Sequence, residues 1–390
     1  MHTINFTLKQ HTPIIHFQHD QDGATLRATE VKPKLDRYIW EEWKKEEGGL
    51  EIAFDKYKYL LVGYNPNKEE SLKKKFLDDK YRALDYSIKL IASENKRPSS
   101  HRIISENTNG VFYNIINIHI LTHYKHLSNC IPLFIKNFFI THSFGKRQNK
   151  GYGSFYLSDT TVSEVKSVLK TYAGSIVFES IVDVSFEQTI SDAWRRLKSG
   201  QNRPYEKSRI FKYASKHKMS WEKRYMKIKL IELIDSSGGA LPDLQYRHEP
   251  LDCSNNEDTL IYNGFDDNPA LVRTNPDDFA YFFVRCLLGL PEIYEFRTRS
   301  DAIYQYKVSS DTVERFKAPV TFKVFENNIF SYAESFNNNI TDTDFSFELF
   351  IKDPIIRSLR TTINLRTPIN FTFHQFLKDY FPSVGFALIP

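Results

Sequence analysis

The chain has 390 residues, a formal charge of +5 and 41% hydrophobic residues, enough for two cores of ordinary size. Its three cysteines (Cys130, Cys253, Cys286) are far apart and form no CxxC pair, which argues against a disulfide framework or zinc knuckle and for a reducing, cytoplasmic setting. The N-terminus lacks the basic and apolar regions of a signal peptide, and no apolar run approaches the ~18 residues of a membrane span, so no membrane partner is expected.

In chain order, the pattern predicts strands at 3–9, 57–64, 110–118, 154–158 and 174–186. Between them it predicts helices at 33–46, 68–93, 131–144 and 161–171. Leu35, Ile39 and Trp43 have helical spacing, and Pro33 suits a first helical position. A second block begins near 187. It holds helices at 189–199, 219–234, 276–289 and 370–380 and strands at 302–309, 313–324, 328–334 and 343–351, with a polar excursion at 235–275. The expected fold is α+β, with two ferredoxin-like (RRM-like) βαββαβ halves carrying insertions, divided as 1–187 and 188–390.

Two features carry chemistry. The run from Gly145 to Phe155 places Gly145, Gly151 and Gly153 around Lys146, Arg147 and Lys150. Glycines permit positive φ and close backbone approach, so this basic loop after a helix is expected to offer amide N–H groups to an anion, with Tyr152 as a possible stacking ring. A plain solvated turn is the other reading. The second feature is the segment 195–229, where thirteen basic residues face only Glu206 and Glu222, a net +11 that leaves the rest of the chain at −6. Tyr205, Phe211, Tyr213 and Trp221 are interleaved with these charges. Cations paired with phosphates and rings stacked on bases are what single-stranded nucleic acid requires, although a solvated helix pair has the same composition.

Other signatures fail. Gly-Lys-Ser/Thr is missing after the glycine loop, there is no GxSxG, and Gly151-x-Gly153 lacks a third glycine, so no nucleotide cofactor is expected. His119, His123, His126 and Cys130 follow i, i+4, i+7, i+11 spacing, but ligands climbing one helix cannot converge on a tetrahedral ion, and no metal is assigned. His16, His19, Asp20 and Asp22 sit in a polar loop where turn residues are ordinary.

The motifs together resemble the RAMP superfamily of CRISPR effector proteins, and most of all the family of the first subunit of type III-B Cmr complexes. The resemblance rests on Thr12-Pro13, Leu26-Arg27, Lys32 to Arg37 and the Gly145 to Ser154 loop, in the family's order. Pro33 stands where a small residue is usual, Asp36 interrupts the leucine–arginine pair, and Tyr152 is the loop's aromatic. Glu314 to Val320 is a weaker echo of the family's Arg-x-x-Ser-Pro strand, with Ala318 in place of serine.

The resemblance implies a non-catalytic subunit that holds guide RNA near its 3′ end and helps capture target RNA beside other subunits of a type III effector complex. It implies RNA contacts at Arg27, Lys32, Lys34, Arg37, Gly145, Lys146, Arg147, Lys150, Gly151, Tyr152 and Gly153, joined by Arg195, Arg196, Arg203 and Arg209 of the basic segment. No catalytic residue, metal or cofactor is assigned. The alternative is a CRISPR RNA-processing endoribonuclease of the same superfamily, using His11, His16 or His19 with the RNA 2′-OH. Asp20 or Asp22 would be the candidates for metal-assisted cleavage.

Overall fold

A computed structural model describes residues 1–16, 25–92, 96–97, 102–103, 108–174, 176–202, 205–217, 219–222, 225–226, 229, 232, 280–290, 293–297, 303–314, 316, 318–333, 338–352 and 361–390. They form two compact units. One is Met1–Ile190 with Val320–Glu334 and Phe386–Pro390; the other is Ser191–Pro319 with Ser335–Gly385.

The first sheet contains β1 (His2–Gln10), β2 (Tyr86–Ala92), β3 (Ile115–Thr122) and β4 (Phe155–Leu157), in the order β2-β3-β1-β4 and antiparallel throughout. Helix α1 (Ala28–Glu47) lies between β1 and β2 in sequence, and α4 (Lys125–Thr141) between β3 and β4; α2 (Leu50–Tyr57) and α3 (Glu69–Leu77) are insertions. This is the βαββαβ thread. Alternation sets its register: Ile4, Phe6 and Leu8 pair with Ile120, Ile118 and Ile116, and this apolar face meets Leu35, Ile39 and Trp40 of α1 and Ile131, Ile135 and Phe138 of α4. Buried Trp40 donates its indole N–H to Arg82 O at 3.0 Å, so its polar atom is satisfied.

The same thread recurs. Strands β5 (Val177–Ile181), β8 (Val320–Phe325), β9 (Asn328–Ala333) and β12 (Ala387–Leu388) pair in the order β8-β9-β5-β12, and helices α5 (Phe186–Lys198) and α6 (Phe373–Tyr380) occupy the two connections. The second half therefore starts at β5, ahead of residue 187, and its strands return to the first unit from far along the chain. Its insertions build the second unit's own antiparallel sheet from β6 (Ile293–Arg297), β7 (Ile303–Ser309), β10 (Asp344–Lys352) and β11 (Thr362–Arg366). Tyr294, Tyr306, Phe345, Phe347 and Leu349 bury one face of that sheet.

Several expected elements differ. Residues 57–64 end α2 and form a 3-10 turn, Lys58–Leu60, in place of a strand. The single helix expected at 68–93 is α3 followed by β2. At 276–289 a helix was expected, but Ala280–Phe282 pairs in parallel with Met219–Trp221 and a 3-10 turn follows. Phe283, Val284, Cys286, Leu287 and Leu288 are all buried there, and an apolar run buried all round carries no period to separate helix from strand. Met219–Trp221 likewise replaces the start of the helix expected at 219–234. Pro33 lies inside α1, because the helix starts five residues earlier, at Ala28.

Candidate nucleic-acid interface

The two N-terminal motifs form one hydrogen-bonded unit. Thr12 Oγ1 donates to Gly151 O at 2.7 Å and accepts from Ser154 N–H at 2.9 Å. Gly153 N–H donates to Pro13 O at 2.9 Å, and Phe144 N–H to Gly153 O at 3.0 Å. Lys146 N–H donates to Ile15 O at 2.8 Å. The loop is thus clamped across about 140 residues of sequence.

Glycine is required at these positions by space. A Cβ at Gly153 would lie 1.8 Å from Phe144 O, and one at Gly145 2.6 Å from Ile15 O, with both residues at positive φ. Gly151 is closed in by Ile190, Val324 and Phe186. The expectation of amides offered to an anion is corrected here: Gly145 N–H already donates to the Glu30 carboxylate at 2.9 Å, and Gly153 N–H is spent on Pro13. Tyr152 is also no stacking ring. It is buried against Phe186, and burial raises its phenol to about 12. Lys146 and Lys150 remain exposed and Arg147 is half-buried at φ 56°, so the loop presents cations on a fixed backbone.

On α1 the basic residues are largely internal. Lys32 donates to Asp36 at 2.8 Å and to Leu84 O at 2.7 Å, and lies over the Tyr86 ring. Burial pushes the Asp36 carboxyl up, with Lys32 opposing. Lys34 donates to Glu30, Ser143 O and Gln148, each at 3.1 Å. Both lysines brace the fold, with about a quarter of each side chain left exposed. Arg37 is exposed, 3.8 Å from Asp79, and Arg27 is half-buried at the N-cap of α1.

In the second unit, Glu206 organises two of the predicted arginines. Arg196 reaches it with two bonds, at 2.8 and 3.2 Å, and also donates to Ser383 O. Arg209, only 6% exposed, bonds the same carboxylate and Ser383 Oγ. The Arg196 guanidinium is the main cause holding the Glu206 carboxyl below the usual carboxylate range. Arg196 and Arg209 therefore form a structural clamp, and Arg209, buried in it, is withdrawn from the surface expected of an RNA contact. Arg195 is exposed beside Asp192 at 2.8 Å, and Arg203 lies outside the described residues. Phe211 and Tyr213 are buried, so they offer no ring to a base.

Removing the centre of this clamp gives a direct test. Glu206→Ala is expected to cost about 2–3 kcal/mol, because buried Arg209 loses its counter-ion. Asp192→Ala, at an exposed pair, should cost less than about 1 kcal/mol. Denaturant unfolding compares them, and equal costs would refute the clamp.

Among the described residues the histidines form no reactive cluster. His119 lies on β3, its Nδ1 2.8 Å from Asn5 Oδ1, and His126 stacks on Tyr57. Among the described residues no group of three His, Cys, Asp or Glu is placed to hold a metal ion. His11 is packed between Tyr156 and Phe325 with Glu326 N–H donating to its Nδ1, and His16 is buried. His19, Asp20 and Asp22 lie outside the described residues.

Two cations escaped the sequence reading. Lys9 on β1 and Lys89 on β2 are exposed on the face of the first sheet opposite α1 and α4. Lys89 was hidden inside an expected helix; alternation along Tyr86–Ala92 was the signal that would have found it.

Two ferredoxin-like threads, with a Thr-Pro strand end clamped onto a glycine-rich basic loop, define a RAMP-like protein. The family model for the Cmr1 N-terminal domain matches residues 1–201, and that for the Cmr1 C-terminal domain matches residues 205–385. The chain belongs to the Cmr1 family, whose members are subunits of type III-B CRISPR effectors. Among solved structures, Cmr1 from Pyrococcus furiosus in its apo form is similar at 10% identity and a TM-score of 0.31, over 86% of this chain and 90% of that one. No curated protein matches.

Proposed function

We propose that the chain is a non-catalytic RNA-binding subunit of a type III-B effector, acting in the cytoplasm, which holds guide RNA near its 3′ end and helps capture target RNA beside other subunits. The carrying observation is the clamped loop that fixes Lys146, Arg147 and Lys150 on a backbone unable to move without breaking its bonds to Thr12 and Pro13. Cations on a fixed backbone meet phosphates with no loop-ordering cost and read no sequence, leaving that to base pairing. The processing-endoribonuclease reading is less favoured, because His11 and His16 are enclosed by protein. No helix among the described residues is long and apolar enough to cross a membrane.

Lys146→Glu/Lys150→Glu is expected to weaken binding of a single-stranded RNA oligonucleotide at least about tenfold at low salt. The log–log salt slope should become shallower by about 1.4, at about 0.7 per phosphate contact. A fluorescence-anisotropy titration at several salt concentrations measures both, and an unchanged affinity and slope would refute the loop as a contact.

A further inference from the structure

The first sheet has a covered face and an open one. Helices α1 and α4 cover Ile4, Phe6, Leu8, Ile116, Ile118 and Ile120. The other face carries Thr3, Asn5, Thr7 and Lys9 from β1, Ser87 and Lys89 from β2, and Asn117 and His119 from β3. Asn5, Lys9, Lys89 and Asn117 are exposed, and His119 is half-buried. None of the residues of these three strands is Asp or Glu, although the whole chain holds 48 such residues. The face is therefore cationic by composition.

The register orders these groups. Lys89 pairs with His119 and His119 with Asn5, one row across three strands. The next row, about 7 Å along the strands, is Ile91, Asn117 and Thr7. His119 Nδ1 lies 2.8 Å from Asn5 Oδ1, an acceptor, and in the tautomer whose Nδ1–H donates to it Nε2 keeps a lone pair. Such an acceptor suits a ribose 2′-OH. A shallow groove of about 500 Å³ borders this row at the edge of β1, where Lys136 of α4 bridges Asp159 and Glu164 and offsets one of their two charges.

We propose that this open face, centred on Lys9, Lys89, Asn5, Asn117 and His119, is a second contact surface for single-stranded RNA. It grips sugar and phosphate, since among its outward residues on β1, β2 and β3 the one ring is the half-buried His119 imidazole and none is Phe, Tyr or Trp. Amides, hydroxyls and cations without carboxylates complement a ribose-phosphate chain. A protein partner would want a larger apolar area than Ile91 and Ile115, each under half exposed, and half-buried Leu121 supply. The inference rests on the reading of the chain as an RNA-binding subunit.

The test uses the full chain and a mixed-sequence 30-nucleotide RNA, with the DNA of the same sequence as a second probe. Lys9→Glu/Lys89→Glu is expected to lose about tenfold in affinity and about 1.4 in salt slope. His119→Phe is expected to reduce the preference for RNA over DNA. Lys9 and Lys89 are exposed and His119 is half-buried, and thermal melting confirms folding of each variant. Photocrosslinking of wild type should label peptides within 1–10 and 115–122. If the sheet variant binds like wild type while Lys146→Glu/Lys150→Glu fails to bind, the sheet proposal is overturned and RNA binding stands. If wild-type protein retains neither probe at low salt, both readings fall.

Discussion

Gly153→Val is expected to prevent stable folding of the first ferredoxin-like half, at a cost above about 4 kcal/mol. The residue has φ +65°, where a β-branched side chain is a severe outlier. Space is the harder constraint. The new Cβ would fall 1.8 Å from Phe144 O and 2.8 Å from Phe144 C, both backbone atoms. Neither can yield, because Phe144 N–H is bonded to Gly153 O and Gly153 N–H to Pro13 O. Gly174→Ala is the control. It has nearly the same φ, +63°, with nothing within 4 Å of its Cβ, so only backbone strain of about 1–2 kcal/mol is at stake. Soluble yield and thermal melting compare the two. A Gly153→Val protein that melts within a few degrees of wild type would show that the loop is not clamped as described. A binding defect in this variant carries no information about RNA unless the protein is folded.

The glycine spacing was readable from the sequence, but its purpose was not. Gly145, Gly151 and Gly153 stand out in any reading, yet what they approach is Ile15, Ile190 and Phe144, and only the folded chain brings the first two beside the loop. The same holds for charge. The pairs Glu30–Lys34 and Lys32–Asp36 have i, i+4 spacing and could have been read as ion pairs on a helix. Their further partners, Leu84 O, Ser143 O and Gln148, are distant in sequence and turn both lysines inward. Arg196 and Arg209 look like part of a basic tract until Ser383, more than 170 residues later, is seen to accept from both. Composition counts charges but does not show which are already satisfied. The α+β class and the first thread were legible because alternation in β1 and the periodicity of α1 are strong. Most of the second thread was legible too, in the strands expected at 174–186, 313–324 and 328–334 and the helices at 189–199 and 370–380, but β5 was assigned to the first half and the two-residue β12 was missed, because inserted strands separate the parts.

Acid is expected to destabilise the first unit in a window set by two histidines. His11 is held down at about 4, from an ordinary 6.5, by burial first and then by Lys9 and Lys323. His142 is likewise held at about 4 by burial first, with Lys323 next and Lys34 a smaller cause, while its bond to Phe138 O opposes them. Lys323 is itself fully buried, donating to Phe139 O at 3.2 Å and His142 O at 2.6 Å at the C-terminal end of α4, and burial pushes its own pKa well down. The sign follows from proton uptake. Both histidines have folded values below their unfolded values, so between pH 6.5 and 4 the unfolded chain binds protons that the folded chain refuses. Stability therefore falls as pH drops through this range, by up to about 3 kcal/mol per histidine at its lower end. Carboxylates such as Glu164, held at about 2 chiefly by Lys136, add their loss only below the ordinary carboxylate value of 4.5. From pH 6.5 to 5 His126, lowered by burial, adds to the decline and the Asp36 carboxyl, raised by burial, opposes it, so the double variant is what isolates His11 and His142. Urea unfolding at pH 7, 6 and 5 should show a decline that His11→Asn/His142→Gln flattens, whatever that variant costs at pH 7. An equally steep decline in the variant would assign the acid limb to other groups. RNA titrations should accordingly be run above pH 6.5, where weaker binding reports a lost contact and not a lost fold.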